Sequence, residues 1–221
     1  MGSIEVVSMN TGKPRPLQYN KKEVSSGIFK SPVNGPLFLS LLNLDGDGQA
    51  DLVHHGGRDK AVCVYCYEHY PYWEEQLHRR LESGAFGENL TIRGITEQEV
   101  RIGDTFQFGE AVVQVSQPRQ PCYKISARYG VPDMQLKVQE TGFTGFYFRV
   151  LKEGNVSKSD SLILISHHPK AVTIADANRV MFGKDVPAEE IQKILDVDAL
   201  SESWRDTLSK RLDRLESDTV K

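Results

Sequence analysis

Cysteine is scarce in this chain: three residues in 221, and an odd number. That excludes the disulfide framework of small secreted domains and points to a reducing compartment. Long apolar runs are missing too. None approaches the roughly 20 residues a membrane helix needs, and the start Met1-Gly2-Ser3-Ile4-Glu5-Val6-Val7 lacks the basic and apolar regions of a secretory leader. A cytoplasmic protein with no membrane partner is expected. Neither charge sign is in large excess, with 27 Lys and Arg against 30 Asp and Glu and a net charge of −3. Such a chain has no general attraction for a nucleic acid polymer or an acidic membrane, so any anion it binds is recognised locally. Also absent are a serine nucleophile elbow, a Walker-type loop and a dinucleotide fingerprint; Gly142-Phe143-Thr144-Gly145 lacks the strand-turn-helix context. Hydrolase and nucleotide-kinase chemistries lose weight accordingly.

What is present up to about residue 168 is a series of short runs of period-two alternation, broken by Gly, Pro and Asn. They are Ile4 to Ser8, Leu37 to Leu41, Val100 to Phe108, Ala111 to Ser116, Gly145 to Leu151 and Ser161 to Ser166. Many short strands at this spacing predict a mainly β fold, a sandwich or a closed barrel. Glu68 to Leu81 carries Tyr72, Trp73, Leu77 and Leu81 at helical spacing, with Pro71 expected in its first turn. Ser126 to Glu140 is ambiguous, with a helix broken by Pro132 as one reading. After His167-His168-Pro169 three helical patterns follow, Ala171 to Phe182, Pro187 to Leu195 and Ser201 to Leu215, with Thr173, Asp185 and Ser201 in N-cap positions. The expected division is a β unit over 1–169 and a three-helix unit over 170–221. Short helices with few apolar positions need a surface to pack on, either the β unit or a second subunit, which allows a homodimer.

The segment with the clearest chemical signature is Gln117-Pro118-Arg119-Gln120-Pro121-Cys122-Tyr123-Lys124. Two prolines fix the backbone ahead of Cys122, a strand precedes it and a helix-like segment follows. Arg119 and Lys124 favour the thiolate. This makes Cys122 a candidate nucleophile or soft-metal ligand, against the commoner fate of a buried cysteine in a tight turn. The stretch from Leu44 to Val62 looks like a calcium loop, but Ala50 and Gly56 stand where glycine and a bidentate glutamate are required. Its glycines, with His55, Arg58 and Lys60, suit a phosphate or pterin-like anion. Cys63 and Cys66 with His69 lack the second cysteine pair of a structural zinc site, and core packing is the favoured reading. Asn89 in Gly87-Glu88-Asn89-Leu90 and the turn Arg101-Ile102-Gly103-Asp104 are ambiguous between architecture and ligand rim.

Together, Asp47 to Asp51, His55-Gly56-Gly57-Arg58-Asp59-Lys60-Ala61-Val62, Gly87 to Leu90, Ile102 to Asp104 and Gln114 to Lys124 resemble the MOSC domain family in motif, order and spacing. The tail is similar to the three-helix domain of the YiiM-like branch. The resemblance implies a β-barrel that binds molybdenum cofactor (molybdopterin), with Cys122 as the protein ligand to molybdenum. His55, Arg58, Lys60, Asn89, Arg119 and Lys124 are the positions assigned to the cofactor pocket. It also implies reduction of small N-hydroxylated bases and related compounds, with electrons from an external reductase, since nothing in the chain resembles a flavin, haem or iron–sulfur domain. The aminotransferase-like, pyridoxal phosphate-binding domain of full-length sulfurases has no counterpart, which counts against a sulfurase role. Two other readings stay open: a carrier or insertion protein that binds cofactor without turnover, and a metal-free thiol enzyme using Cys122 as nucleophile.

Overall fold

The computed structural model describes residues 3–50 and 56–219. Its centre is an eight-stranded sheet. In chain order its strands are β1 (Glu5–Thr11), β4 (Ser31–Pro32), β6 (Val62–Cys66), β7 (Leu90–Arg93), β8 (Thr105–Phe108), β9 (Ala111–Pro118), β10 (Phe146–Lys152) and β12 (Leu162–Ser166). Across the sheet the order is β12-β8-β9-β10-β6-β7-β1-β4. All neighbours are antiparallel except β6 and β7. Ile4, just ahead of β1, exchanges two backbone hydrogen bonds with Leu162 of β12, at 3.1 and 3.0 Å. The first strand thereby meets the last and the sheet curls into a barrel. Register shifts in β1, β10 and β12 supply the bends this closure needs. Two smaller pairs flank it: β2 (Arg15–Tyr19) with β3 (Lys22–Ser26), and β5 (Leu37–Leu39) with β11 (Gly154–Val156).

Helices lie outside the sheet. A 3-10 turn at Tyr67–His69 runs into α1 (Tyr70–Leu77), with Pro71 in the first turn as its sequence position predicts. The segment expected as one broken helix is two, α2 (Tyr123–Tyr129) and α3 (Met134–Thr141), with Gly130 at a left-handed φ of 67° and Pro132 between them. The strand expected over Val100 to Phe108 begins only at Thr105: Asp104 turns back to accept a hydrogen bond from the Arg101 N–H at 3.1 Å, and Gly103 takes a φ of 90°. The β2–β3 pair was not visible as a hairpin because its outward residues are polar or charged and its inward apolar residues few.

The tail forms α4 (Ile174–Phe182), α5 (Ala188–Leu195) and α6 (Glu202–Thr219). Thr173 caps α4 in a full capping box with Asp176. The cap of α5 is Pro187, not Asp185: the helix starts at Ala188, two residues too late for the Asp185 side chain to reach its free N–H groups. One hydrophobic cluster runs from the barrel interior (Val64, Phe106, Val113, Phe148) into the tail (Val172, Val180, Ile191, Trp204, Leu208). Backbone bonds fasten the junction, from Ile102 N–H to Val172 O at 2.9 Å and from Ile174 N–H to Val100 O at 3.0 Å. The tail thus buries its apolar face on its own barrel. A second cluster, built on Tyr65, Trp73, Phe86, Ile125 and Val138, lies under α1, α2 and α3. Among the described residues no helix is long and apolar enough to cross a membrane.

Candidate functional site

Where β9 leaves the sheet, Pro118 and Pro121 carry the chain into α2, and Cys122 occupies the N-cap position in an extended conformation (φ −121°, ψ 165°) with its side chain making no capping bond. The thiol is half-buried. It opens onto a pocket lined by Lys30, Lys60, Cys63, Arg119, Cys122, Lys124 and Tyr147, with Gln49, Phe86 and Asn89 among the remaining walls. Of the expected site residues, the pocket gathers Cys122, Arg119, Lys124, Lys60 and Asn89. Arg58 is in the same 3-10 turn as Lys60 (Arg58–Lys60) but is exposed and not in the lining. His55 lies outside the described residues.

The lining carries four cations, Lys30, Lys60, Arg119 and Lys124, and no carboxylate among the described residues. In a chain of net charge −3 this is a local reversal of sign. Arg119 is 7 % exposed and donates from Nη2 to the Phe86 carbonyl at 2.6 Å. Burial works against its charge, but Cys63, Tyr147, Cys122 and Glu88 around it outweigh that and hold its pKa above the ordinary arginine value. Burial pushes the Cys63 thiol up to about 11 and drives the Tyr147 phenol upward as well, with Cys63 adding to the latter. At neutral pH both therefore keep their protons, and the fixed charge facing the pocket is positive.

Two carboxylates behind the lining organise it. Asp47 forms a buried ion pair with Lys30 and accepts from the Gly12 N–H at 3.0 Å and from Asn89 Nδ2 at 2.9 Å. The Asp47 carboxylate, one of the groups that made this stretch look like a calcium loop, is thus engaged inside the protein. Asn89 spends its other groups similarly, donating to Asn10 O at 3.3 Å and accepting from the Cys63 N–H at 3.0 Å, so it builds the pocket floor. Glu88, fully buried, accepts from Gly84 N–H at 3.0 Å, Phe86 N–H at 2.9 Å, Thr91 Oγ1 at 2.9 Å and the Tyr70 hydroxyl. The turn around Gly103 is architectural: the buried Asp104 carboxylate accepts from His168 N–H at 3.0 Å and meets His167 Nδ1 at 3.0 Å, pinning the entry to the tail. Sequence reasoning missed Lys30 and Tyr147, and treated Cys63 as core only. The alternation of β6 and β10 was the available signal, since Tyr147 and Cys63 are cross-strand partners and their side chains share a face.

A thiol beside a strongly basic, partly apolar pocket fits an anionic ligand that carries a soft metal. The family profile for the MOSC domain matches residues 51–163, and that for the YiiM-like 3-alpha helix domain matches residues 172–215. YflK of Bacillus subtilis (strain 168) is 54% identical over 95% of this chain and 95% of its own length. The crystal structure of YiiM from Geobacillus stearothermophilus superimposes with a TM-score of 0.81 at 40% identity, covering 95% of this chain and 99% of that one. A protein of Gibberella moniliformis (strain M3125 / FGSC 7600) named "Reductase" is 34% identical over 74% of this chain, which spans 30% of that longer protein. The chain belongs to the MOSC domain family, whose domains are associated with molybdenum cofactor binding. Within it, the three-helix tail makes it YiiM-like.

Proposed function

We propose that this protein is a molybdenum cofactor-dependent oxidoreductase that reduces N-hydroxylated bases and related compounds, with Cys122 as the protein ligand to the metal. The observation that carries the reading is the meeting, in a single pocket, of one accessible thiol with four cations and, among the described residues, no carboxylate. The name of the fungal relative supports the redox direction.

When bound, the cofactor supplies a metal that exchanges electron pairs and accepts oxygen. The chain's own residues do the rest. Cys122 fixes the metal through a soft donor on a proline-stiffened turn. Arg119, Lys124 and Lys60 would offset the phosphate and dithiolene charge, with Lys30, already paired with Asp47, beside them. In the net reaction the N–O bond breaks, two electrons and two protons are taken up, and amine and water leave. The electrons come from a separate reductase.

The test is protein from a molybdenum cofactor-competent host, assayed for molybdenum and for amine formation from an N-hydroxylated base with a reduced viologen dye. Wild type should hold molybdenum and turn over. Cys122→Ser should keep its fold by circular dichroism and lose turnover, because serine is a harder and far less acidic donor. Full turnover in that variant refutes the ligand assignment, and molybdenum-loaded wild type without turnover supports a carrier instead.

A further inference from the structure

The two cysteines of β6 serve opposite faces of the strand. Cys63 lines the pocket described above, whereas Cys66, three residues on, belongs to the barrel's core cluster. Directly after it, the 3-10 turn Tyr67–His69 folds His69 back over the strand end, and the loop between β7 and β8 brings in Glu97. The donor atoms of Cys66, His69 and Glu97 all lie within 4.8 Å of one another, and all three residues are buried.

The arrangement is held on every side. Glu97 Oε1 accepts the Gly145 N–H at 2.7 Å while Oε2 meets His69 Nε2 at 2.6 Å. The imidazole stacks on Phe143 with centroids 3.8 Å apart and meets Tyr65 edge-on at 5.8 Å. His69 and Glu97 also line a second cavity, of about 770 Å³, whose wall includes Asn178 from α4. Asn178 is 4% exposed and uses Nδ2 on Thr144 Oγ1 at 2.8 Å, yet its Oδ1 is a buried acceptor without a partner.

We propose that Cys66, His69 and Glu97 form a second metal site, for a zinc-class divalent cation, separate from the Cys122 pocket. The donor set is one thiolate, one imidazole and one carboxylate, which suits a borderline-soft ion and fits neither calcium nor magnesium. Charge balances: a thiolate and a carboxylate cancel a divalent ion, so the loaded site is neutral and its burial carries no net-charge penalty. The Gly145 N–H on Glu97 is the outer hydrogen bond that orients a carboxylate ligand. Three protein ligands leave a fourth position, and the cavity beside His69 and Glu97 gives it to water or a small ligand; sites of that form are reactive more often than structural.

The experiment uses full-length protein from a host lacking molybdenum cofactor, stripped with chelator and titrated with Co(II). Wild type should take up one equivalent with a thiolate-to-cobalt charge-transfer band, and Zn(II) should displace it. Cys66→Ser should remove the band and weaken cobalt binding by at least roughly 100-fold, beyond the range for outer-shell changes, whereas Cys122→Ser should keep it. Glu97→Gln should weaken binding without removing the band. No stoichiometric uptake by wild type overturns the proposal, with no reliance on a variant that misfolds. A band lost in Cys122→Ser but kept in Cys66→Ser overturns it equally.

Discussion

Replacing Glu88 with glutamine changes one atom, and the structure assigns that atom a large effect. The carboxylate accepts from four donors: Oε1 takes Gly84 N–H, Thr91 Oγ1 and the Tyr70 hydroxyl, and Oε2 takes Phe86 N–H. An amide has one acceptor oxygen. Its best orientation keeps that oxygen at the Oε1 position and turns its NH₂ against the Phe86 N–H, leaving a buried donor facing a donor. An unsatisfied buried donor costs about 1–3 kcal/mol, and the other bonds lose their charge assistance, partly offset by easier burial of a neutral group. We expect about 2–4 kcal/mol in total, or a Tm lower by roughly 4–16 °C in a chain of this size. The effect should reach the site, because the Phe86 carbonyl is the acceptor for Arg119 Nη2 at 2.6 Å. Molybdenum retained after gel filtration should fall as well. Calorimetry and metal analysis on the same preparation decide the matter: a Tm within about 2 °C of wild type, with unchanged occupancy, would refute the reasoning.

Gly145→Ala should destabilise by at least about 1 kcal/mol through its left-handed backbone alone; here φ is 70° and a Cβ would stand 2.2 Å from the Val64 carbonyl, so denaturant midpoints should drop well beyond that. Stability should fall with rising pH above about 9, because the native Cys63 thiol holds its proton to about 11 while the unfolded thiol gives it up near its ordinary value. That contribution is fully present below the unfolded pKa and is lost as pH rises through the folded one, and Tyr65, Tyr70, Cys66 and Tyr147, all shifted upward chiefly by burial, act in the same sense. Urea melts at pH 8 and pH 10.5 check the sign, and equal midpoints would contradict it. Deleting residues 170–221 should leave an aggregating barrel, because it uncovers core that Trp204, Leu208, Ile191 and Val180 now close; a soluble monomer with native near-ultraviolet circular dichroism would show that the barrel stands alone.

Much of the fold was legible because its signals are local. Alternation in Ala111 to Ser116 and Ser161 to Ser166 marks β9 and β12, and Thr173 announces the start of α4. The Cys122 turn was equally readable, since two prolines, a thiol and two cations lie within a few residues of one another. What escaped was long-range. Lys30 pairs with Asp47 from the loop between β3 and β4, and nothing near Lys30 in sequence marks it as part of the pocket beside Cys122. Tyr147 enters only because β10 runs beside β6 in a register that sets it opposite Cys63. Gly87 to Leu90 was legible as a turn but not as a hub, because the Glu88 partners come from α1, β7 and the loop between them.

The tail is fastened to the site as well as to the core. Composition changes sharply after Pro169, where short helices with few apolar positions are expected to need the β unit or a second subunit to pack on. The β unit supplies that surface. Ser201 N–H donates to Ser116 O at 3.0 Å and Ser203 Oγ to Gln117 Oε1 at 3.3 Å, so the start of α6 grips the end of β9, directly ahead of the turn that carries Cys122. Glu202 N–H reaches Asp59 Oδ2 at 3.2 Å, and Asp59, which pairs with Arg149 at 2.7 Å, precedes Lys60 in the pocket wall. Two of the pocket's walls are thus fixed from behind by one helix N-terminus. A substitution that loosens this contact, such as Ser201→Pro, which removes the N–H, should change the site before it changes the barrel.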